Sequence, residues 1–447
     1  MNHNLFNYSV TPSVVRADTE TEIRIRPLGE NVAFKRDLKY TVTVRGTETA
    51  LATYAQFPKT VYECTPNEEG QLVFRHFFNG EQRHIIIIDR PAQDLVSPHY
   101  ELWAREKASV NRQGLLAVYS LDADIYGLRG FKGETHSHTY ESDGVQDVCH
   151  TVGNYRMGGY DFLAITDHFT TAGSEKAKKV FASAPVDMTL LTGEEVHVPT
   201  DRIHAVHIGG KGSVNEAFRA DKDKAFAEVE QIEKSLPESL PADKNDYAWR
   251  IWISRRAKQT GGISILAHPH WIWENVYFMS TATTKLLLKE GVYDALDLTD
   301  SDADATVALW NDLRAEGYSI PVVGSSDSHY TDAGDPKRPA KGEGGYTLVF
   351  ARDRLEESLL DAIRSGYSVA VNAKGHPEFI HGSFRFVKFA KFLLEYFYPI
   401  YTRLCEGQGI LLSEYSADAQ VSDETRELLA ALSRRSEEFA REFYGYR

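Results

Sequence analysis

From Gly130 to about residue 378, short apolar stretches alternate with helical ones, and one apolar stretch after another ends in a histidine or a carboxylate. The alternation is the pattern of parallel βαβ units, in which a buried strand, a crossover helix and a second strand recur. One unit reads plainly. Val145, Val148, Val152 and Tyr155 fall on one helical face, Gly158-Gly159 stops the helix, and FLAIT at 162–166 is a buried strand. MTLLTG, IHAVHI, ISILA, DALDL and IPVVG are further strands. In β/α barrels the C-terminal strand ends share one face, so residues far apart in sequence can build one site.

The flanking regions have a different texture. Between about residue 10 and 121 the stretches IRIR, YTVTV, LVF, IIII and LLAVYSL alternate with period two between Gly and Asn turns, which predicts an antiparallel β domain of sandwich type over 1–127. A charged, largely helical insertion at 210–261 is either a lid or a long crossover. After residue 378 the chain becomes helical. Pro399 interrupts an aromatic helix, and Ser422 with Asp423 can cap a last helix carrying Leu428, Leu432, Phe439 and Phe443 as one stripe. That stripe packs onto the rest of the chain or onto a second copy, giving a homo-oligomer. The domain reading is therefore 1–127, 128–378 and 379–447.

Composition excludes several classes. A net charge of −14 argues against a protein that tracks a nucleic-acid backbone, since that task needs a basic face. Cys64, Cys149 and Cys405 are odd in number and widely spaced, which fits neither a disulfide framework nor a thiolate zinc site. The N-terminal MNHNLFNYSV has no basic region leading into an apolar core, and the aromatic stretch 384–404 is broken by Arg385, Lys388, Lys391 and Glu395. The expectation is a cytoplasmic protein with no membrane span.

Ten of the 16 histidines lie between positions 136 and 329. His136 and His138 can reach one metal if the strand bends, with Asp143 returning from the next loop. Asp167-His168 ends a buried strand, where a polar pair needs a bonding partner; a helix cap is the plain explanation for Asp167. In Gly193-Glu194-Glu195-Val196-His197 one carboxylate could bridge two cations. His204 and His207 differ by three and point to opposite faces of their strand, so one of them is the candidate ligand, His204 by preference. His268 and His270 follow ISIL, and Asp327 and His329 follow IPVVG. A satisfied core histidine accounts for any one of these, but not easily for strand end after strand end.

ETHSHTYESDG, FLAITDH, LTGEEV, the histidine strand, ILAHPH and VVGSSDSH, in this order, resemble the PHP (polymerase and histidinol phosphatase) superfamily of metallophosphoesterases over about 128–378. The resemblance implies a distorted seven-stranded β/α (TIM-like) barrel holding two or three divalent ions. It would give His136, His138, Glu195 and Asp327 to one metal, Glu195, His204 and His268 to a second, and Asp143, His168 and His329 to a third. Two departures stand out: Glu134 replaces a common aspartate, and LDLTDSDAD replaces an acid-then-asparagine pattern.

Ions held by mixed imidazole and carboxylate ligands would be zinc, manganese or iron, a hydroxide bridging two of them would be available at neutral pH, and the resemblance implies that it attacks phosphorus in a small phosphorylated substrate. His197, His207 and His270 are candidate proton donors to the leaving group, and Arg202, with Lys337 or Arg338, a candidate phosphate anchor. Two other readings compete. The same metal centre could cleave a carbamate, amide or carboxylic ester, or the chain could be a non-catalytic metal- or ligand-binding module.

Overall fold

The computed structural model describes residues 3–48, 58–90, 112–299, 303–330, 345–372, 379–416 and 421–446. Two compact units emerge. One comprises Met1–Leu128, Lys391–Tyr401 and Ser436–Arg447, and the other Arg129–Ala390 and Thr402–Arg435.

In the first unit, β1 (Tyr8–Thr11), β3 (Thr19–Pro27) and β6 (Leu72–Phe78) form one antiparallel sheet. The second sheet runs in the order β2 (Val14–Arg16), β8 (Arg112–Leu121), β7 (Gln82–Asp89), β4 (Tyr40–Gly46) and β5 (Thr60–Cys64). Burial alternates along β4, β6 and β7, as a strand with one inward face requires. Ile23 and Ile25 from one sheet and Val42, Ile86, Ile88 and Val118 from the other join a single core. The expected antiparallel order has one exception, because β2 pairs with β8 in parallel.

The second unit begins with β9 (Arg129–Glu134), α1 (Val148–Met157), β10 (Phe162–Ala164), α2 (Ala172–Val180), β11 (Thr189–Leu191) and β12 (Gly193–Val196). Helix α1 starts where Asp147 accepts from the amides of Cys149 and His150, which leaves the predicted Val145 outside it. Gly158 caps its end, and Gly159 supplies the left-handed φ of +76° that turns the chain toward β10.

Next come β13 (Ala205–Ile208), α3 (Val214–Ala220), α4 (Lys222–Ser235), α5 (Lys244–Gln259), β14 (Ile263–Leu266), the short strands β15 (Ile272–Trp273) and β16 (Val276–Tyr277), and α6 (Thr281–Lys289). The predicted insertion 210–261 is a packed crossover, since Trp249, Trp252 and Ile253 on α5 are buried in one core with Val196 and Ala205. The unit continues with β17 (Ala295–Asp297), α7 (Ala303–Ala315), β18 (Val322–Val323), β19 (Gly345–Ala351), α8 (Glu356–Arg364), β20 (Ser368–Asn372) and β21 (Phe379–Gly382). No candidate strand was read at β19, although GYTLVFA is buried throughout.

These strands make a six-stranded sheet, β11-β10-β9-β19-β20-β21, and a five-stranded sheet, β12-β13-β14-β17-β18. Both are mixed. The βαβ units β9-α1-β10, β10-α2-β11 and β14-α6-β17 pair in parallel as the sequence pattern predicts, but β13 runs antiparallel to both β12 and β14, and β19 antiparallel to β9. The physical reason at β12-β13 is the connection itself: residues 197–204 carry no crossover helix, so the chain must reverse. Phe131, Phe162, Val206, Ile208, Ile265 and Val323, from both sheets, share one core.

The chain ends in α9 (Phe384–Tyr396), α10 (Tyr398–Ser413) and α11 (Asp423–Tyr444). Pro399 stands in the first turn of α10, where its missing N–H costs nothing. On α11 the predicted stripe is displaced by one position at its start, because Leu429 is fully buried whereas Leu428 is half exposed. No helix among the described residues is long and apolar enough to cross a membrane.

Candidate metal centre

Strand parity decides which side chains reach the centre. On β13, Val206 and Ile208 face the core between the sheets and Ala205 faces the helices. His204, just before the strand, shares the parity of Val206, and its Nδ1 lies 2.8 Å from Glu195 Oε1. His207 has the opposite parity. Its Nδ1 pairs with Glu194 Oε1 at 2.9 Å and its Nε2 meets Thr260 Oγ1 at 2.9 Å. The same rule separates the adjacent acids on β12: Glu194 turns toward α3, where it accepts from Ser213 and Val214, while Glu195 turns the other way.

Glu195 is 1% exposed and lies at the middle of the histidines. His136 Nε2 is 3.3 Å from its Oε2, His168 Nδ1 2.9 Å, and His138 and His197 Nε2 each 3.6 Å. His204 and His268 approach Oε1 at 2.8 and 3.3 Å. Asp327 Oδ1 adds contacts of 3.3 Å to His136 and 2.9 Å to His138. Toward solvent, Asp143 lies 3.4 Å from His168 and 3.3 Å from His329.

Ligand atoms within 4.8 Å of one another define four overlapping groups in this unit: His136, His138, Glu195 and Asp327; Glu195, His204 and His268; His138, Asp143, His168 and His329; and His168, Glu195 and His197. Multiple clusters able to coordinate metal ions are thus present. His197, read from sequence as a proton donor, sits inside the last of these. The other proton-donor candidates do not gather there: His207 is engaged with Glu194, and His270 is buried with its Nδ1 2.9 Å from Thr306 Oγ1. Arg202 is exposed on the loop leading to His204. Lys337 and Arg338, and Asp300 to Asp302 of LDLTDSDAD, lie outside the described residues.

Electrostatics at the centre are strained without a cation. Burial pushes the Glu195 carboxyl up, but the neighbouring His136 charge and hydrogen bonds from His136, His168 and His197 outweigh it and hold the group well below the usual carboxylate range. Asp327 is depressed in the same way by His136 and His138. Burial pulls His138 and His197 down, whereas at His168 the Glu195 carboxylate overcomes burial and raises the imidazole. Protonating every imidazole would crowd like charges around one carboxylate, and its two oxygens cannot accept an N–H from all six rings at once even when the rings are neutral. The Nδ1 atoms of His138 and His197 are buried and hydrogen-bond to no described residue. A divalent ion among these nitrogens and oxygens resolves the conflict, so the donor set fits the group the sequence implies.

The backbone is held in unusual conformations at the same places. His268 and Asp327 have φ of +28° and +47°, a region L residues rarely enter. Such outliers cost on the order of 1–3 kcal/mol each and persist where the surroundings impose them.

Behind the ligands lies a supporting layer, in which Glu134 is marked by the sequence pattern and Asn215 is not. Asn215, the second residue of α3, donates from Nδ2 to the Glu195 carbonyl at 3.1 Å and accepts the His197 amide at 3.1 Å, clamping the backbone on both sides of Val196. Its Nδ2 also reaches Glu194 Oε2 at 2.9 Å. Asp167 does not cap a helix. It is fully buried and accepts from the Thr139 amide and hydroxyl and from Ser142, fastening the loop that carries Asp143. Glu134 accepts from the amides of Thr135, His136 and Ser326, and burial raises its carboxyl to about 7. A cavity of about 220 Å³ opens at the centre, lined by Trp271 and seven of the candidate ligands.

No protein-family model and no curated protein matches this chain. Among solved structures, a two-domain protein from Bacteroides vulgatus described as containing a PHP-like metal-dependent phosphoesterase is 18% identical, over 55% of this chain and 66% of that one, with a TM-score of 0.39. A protein from Bifidobacterium adolescentis described as a metal-dependent phosphoesterase is 18% identical, over 52% of this chain and 94% of its own, with a TM-score of 0.33. An amidohydrolase from Chromobacterium violaceum with bound sulfate is 17% identical, over 44% and 87%, with a TM-score of 0.31.

Proposed function

We propose that this chain is a metal-dependent hydrolase of the PHP type, most specifically a phosphoesterase acting on small phosphomonoesters or nucleotides. The observation that carries this reading is Glu195, one buried carboxylate approached by six imidazoles and flanked by Asp327. His136, His138 and Asp327 would hold one ion with Glu195, His204 and His268 a second with Glu195, and Asp143, His168 and His329 a third. Zinc, manganese and iron all suit these donors. When bound, the ions supply Lewis acidity and lower the pKa of coordinated water to near neutrality.

The chain's own residues do the rest. Asn215, Asp167 and Glu134 hold the backbone that carries the ligands, so the site is organised before substrate arrives. Arg202, exposed beside His204, is the proposed anchor for a phosphate oxygen, and His197 the proposed carrier of the proton that the leaving oxygen takes. His207 and His270 lose this role in the proposal, because each already bonds to a neighbour away from the cluster. A distorted barrel closed over 128–378 and a cytoplasmic location belong to the same reading.

The test is to purify the protein without chelator, measure its metals by elemental analysis, and follow phosphate release from phosphomonoesters, nucleotides and a phosphodiester. Two or more metals per chain, with release lost in His268→Ala and Asp327→Ala, is the expected result. Turnover of carbonyl esters with no phosphate release would transfer the assignment to carbonyl hydrolysis. Failure to take up metal even on reconstitution would overturn both.

A further inference from the structure

An aromatic path leads from the candidate ligands to solvent. Phe278 lies 4.6 Å and Trp271 5.5 Å, ring centroid to centroid, from His204; Trp271 is 5.8 Å from His268; and Trp273 continues the series 5.4 Å beyond Trp271. Phe169, 4.5 Å from His197, is a further aromatic at the same cluster. Among the described residues, Trp271 is the one apolar member of the cavity lining.

The path is built on a hairpin. Strands β15 and β16 pair Ile272 with Tyr277 and Trp273 with Val276, and the two residues between, Glu274 and Asn275, have φ of +49° and +68°. Two positive φ values in a two-residue loop make a tight turn whose twist matches the strands. At its base the Phe278 amide donates to the Trp271 carbonyl at 2.7 Å, and the Trp271 amide to the His268 carbonyl at 3.0 Å. A two-stranded hairpin alone is marginal in water, yet this one exposes Ile272, Trp273 and Val276 by 54, 57 and 64%. Trp273 and Val276 are cross-strand partners on one face of the hairpin, with Ile272 on the other, and an exposed apolar pair beside a cavity is a candidate recognition surface.

We infer that the hairpin Ile272–Tyr277 is a stacking platform, with Trp271 and Trp273 as specificity-determining residues, and that the preferred substrates are monoesters carrying a planar aromatic group next to the ester oxygen. The inference rests on the hydrolase reading and names its substrate class. An apolar cavity of roughly 150 Å³ accommodates a benzene, so the 220 Å³ cavity has room for an ester head group among the ligands, with the ring emerging over Trp271. In such a monoester water adds to phosphorus, the bond from phosphorus to the ring oxygen breaks, and the phenol leaves with one proton. Stacking on fixed indoles holds the ring while that bond opens, and aromatic pairs of this kind change affinity by about two- to tenfold each.

The metal-loaded protein is assayed with 1-naphthyl, phenyl and n-butyl phosphate, and intrinsic tryptophan fluorescence is titrated with phenylphosphonate and methylphosphonate on metal-loaded and metal-free protein. The expected order of kcat/KM is naphthyl above phenyl above butyl. Trp273→Ala lowers the aryl-to-butyl ratio by about five- to tenfold, carried mainly in KM, and Trp273→Phe restores most of it. Phenylphosphonate quenches the fluorescence and methylphosphonate does not. Equal kcat/KM for the three esters, with no ring-dependent quenching, overturns the platform and leaves the hydrolase reading standing. No turnover of any ester, with ring-dependent quenching retained, counts against the hydrolase reading and for the platform. If Trp273→Ala instead converts a dimer to a monomer in sedimentation, with no change in the aryl-to-butyl ratio, the patch joins copies of the chain and the inference falls.

Discussion

Buried histidines occur in both units of this molecule, and the two groups are built on opposite principles. In the β unit His76 Nδ1 meets the Tyr62 hydroxyl at 2.8 Å and His84 Nε2 meets Ser120 Oγ at 3.0 Å, with the two rings 6.1 Å apart. No carboxylate among the described residues lies within ion-pair distance of either. Burial pulls both imidazoles down, and His84 falls to about 4 with some help from His76, so both are neutral core residues. In the other unit six imidazoles face one carboxylate. Burial alone therefore says little about what a histidine does; the partner at its second nitrogen says more.

Metal should distinguish the two groups of histidines most strongly. A ligand at a thousand times its Kd stabilises the state that binds it by about 4 kcal/mol. Adding zinc or manganese to chelated protein should slow amide hydrogen exchange on β12 and β13 by up to about a thousandfold and leave β7, which carries His84, unchanged. Equal slowing on all three strands, or none, would erase the distinction between the clusters.

A smaller and opposite effect concerns acid. His84 has a folded pKa below its unfolded value of about 6.5, so its contribution to stability is complete above that pH. It is lost as the pH falls from about 6.5 toward 4, because the unfolded chain takes up the proton first. The full difference is on the order of 3 kcal/mol. Denaturant unfolding followed by exchange on β7 should show this loss, and His84→Gln should flatten it; an unchanged pH slope in that variant would mean the imidazole is not the group responsible.

The smallest expected effect lies behind the candidate ligands themselves. Asn215 touches no candidate ligand side chain but holds the Glu195 carbonyl and the His197 amide. Asn215→Ala should weaken metal binding by about tenfold, the lower end expected for a supporting residue, and shift kcat more than KM. Saturating metal should recover most of the activity. Loss of activity that excess metal does not recover would assign Asn215 to folding instead.

Much of this arrangement was legible in the amino-acid order. Period-two alternation identifies the strands of the β unit, and apolar runs leading to His168, Glu195, His268 and Asp327 mark strand ends, because periodicity and composition are local properties. Parity also places His204 and His207 on opposite faces of their strand. Other features lay beyond it. The antiparallel turn of β13, and β19 antiparallel beside β9, arise from pairings between distant segments. Leu429 rather than Leu428 faces inward because the rotation of α11 is set by what it packs against.

Amino-acid order sets the inventory: which residue types end which strands, and hence that imidazoles and carboxylates gather there. Their partners depend on the folded chain. It brought His197 to Glu195, sent His207 and His270 elsewhere, bent the backbone to positive φ at His268 and Asp327, and raised an aromatic hairpin beside the cavity. Distances across a fold depend on sheet register, twist and loop conformation, and these are fixed by burial of the whole core rather than by any one segment.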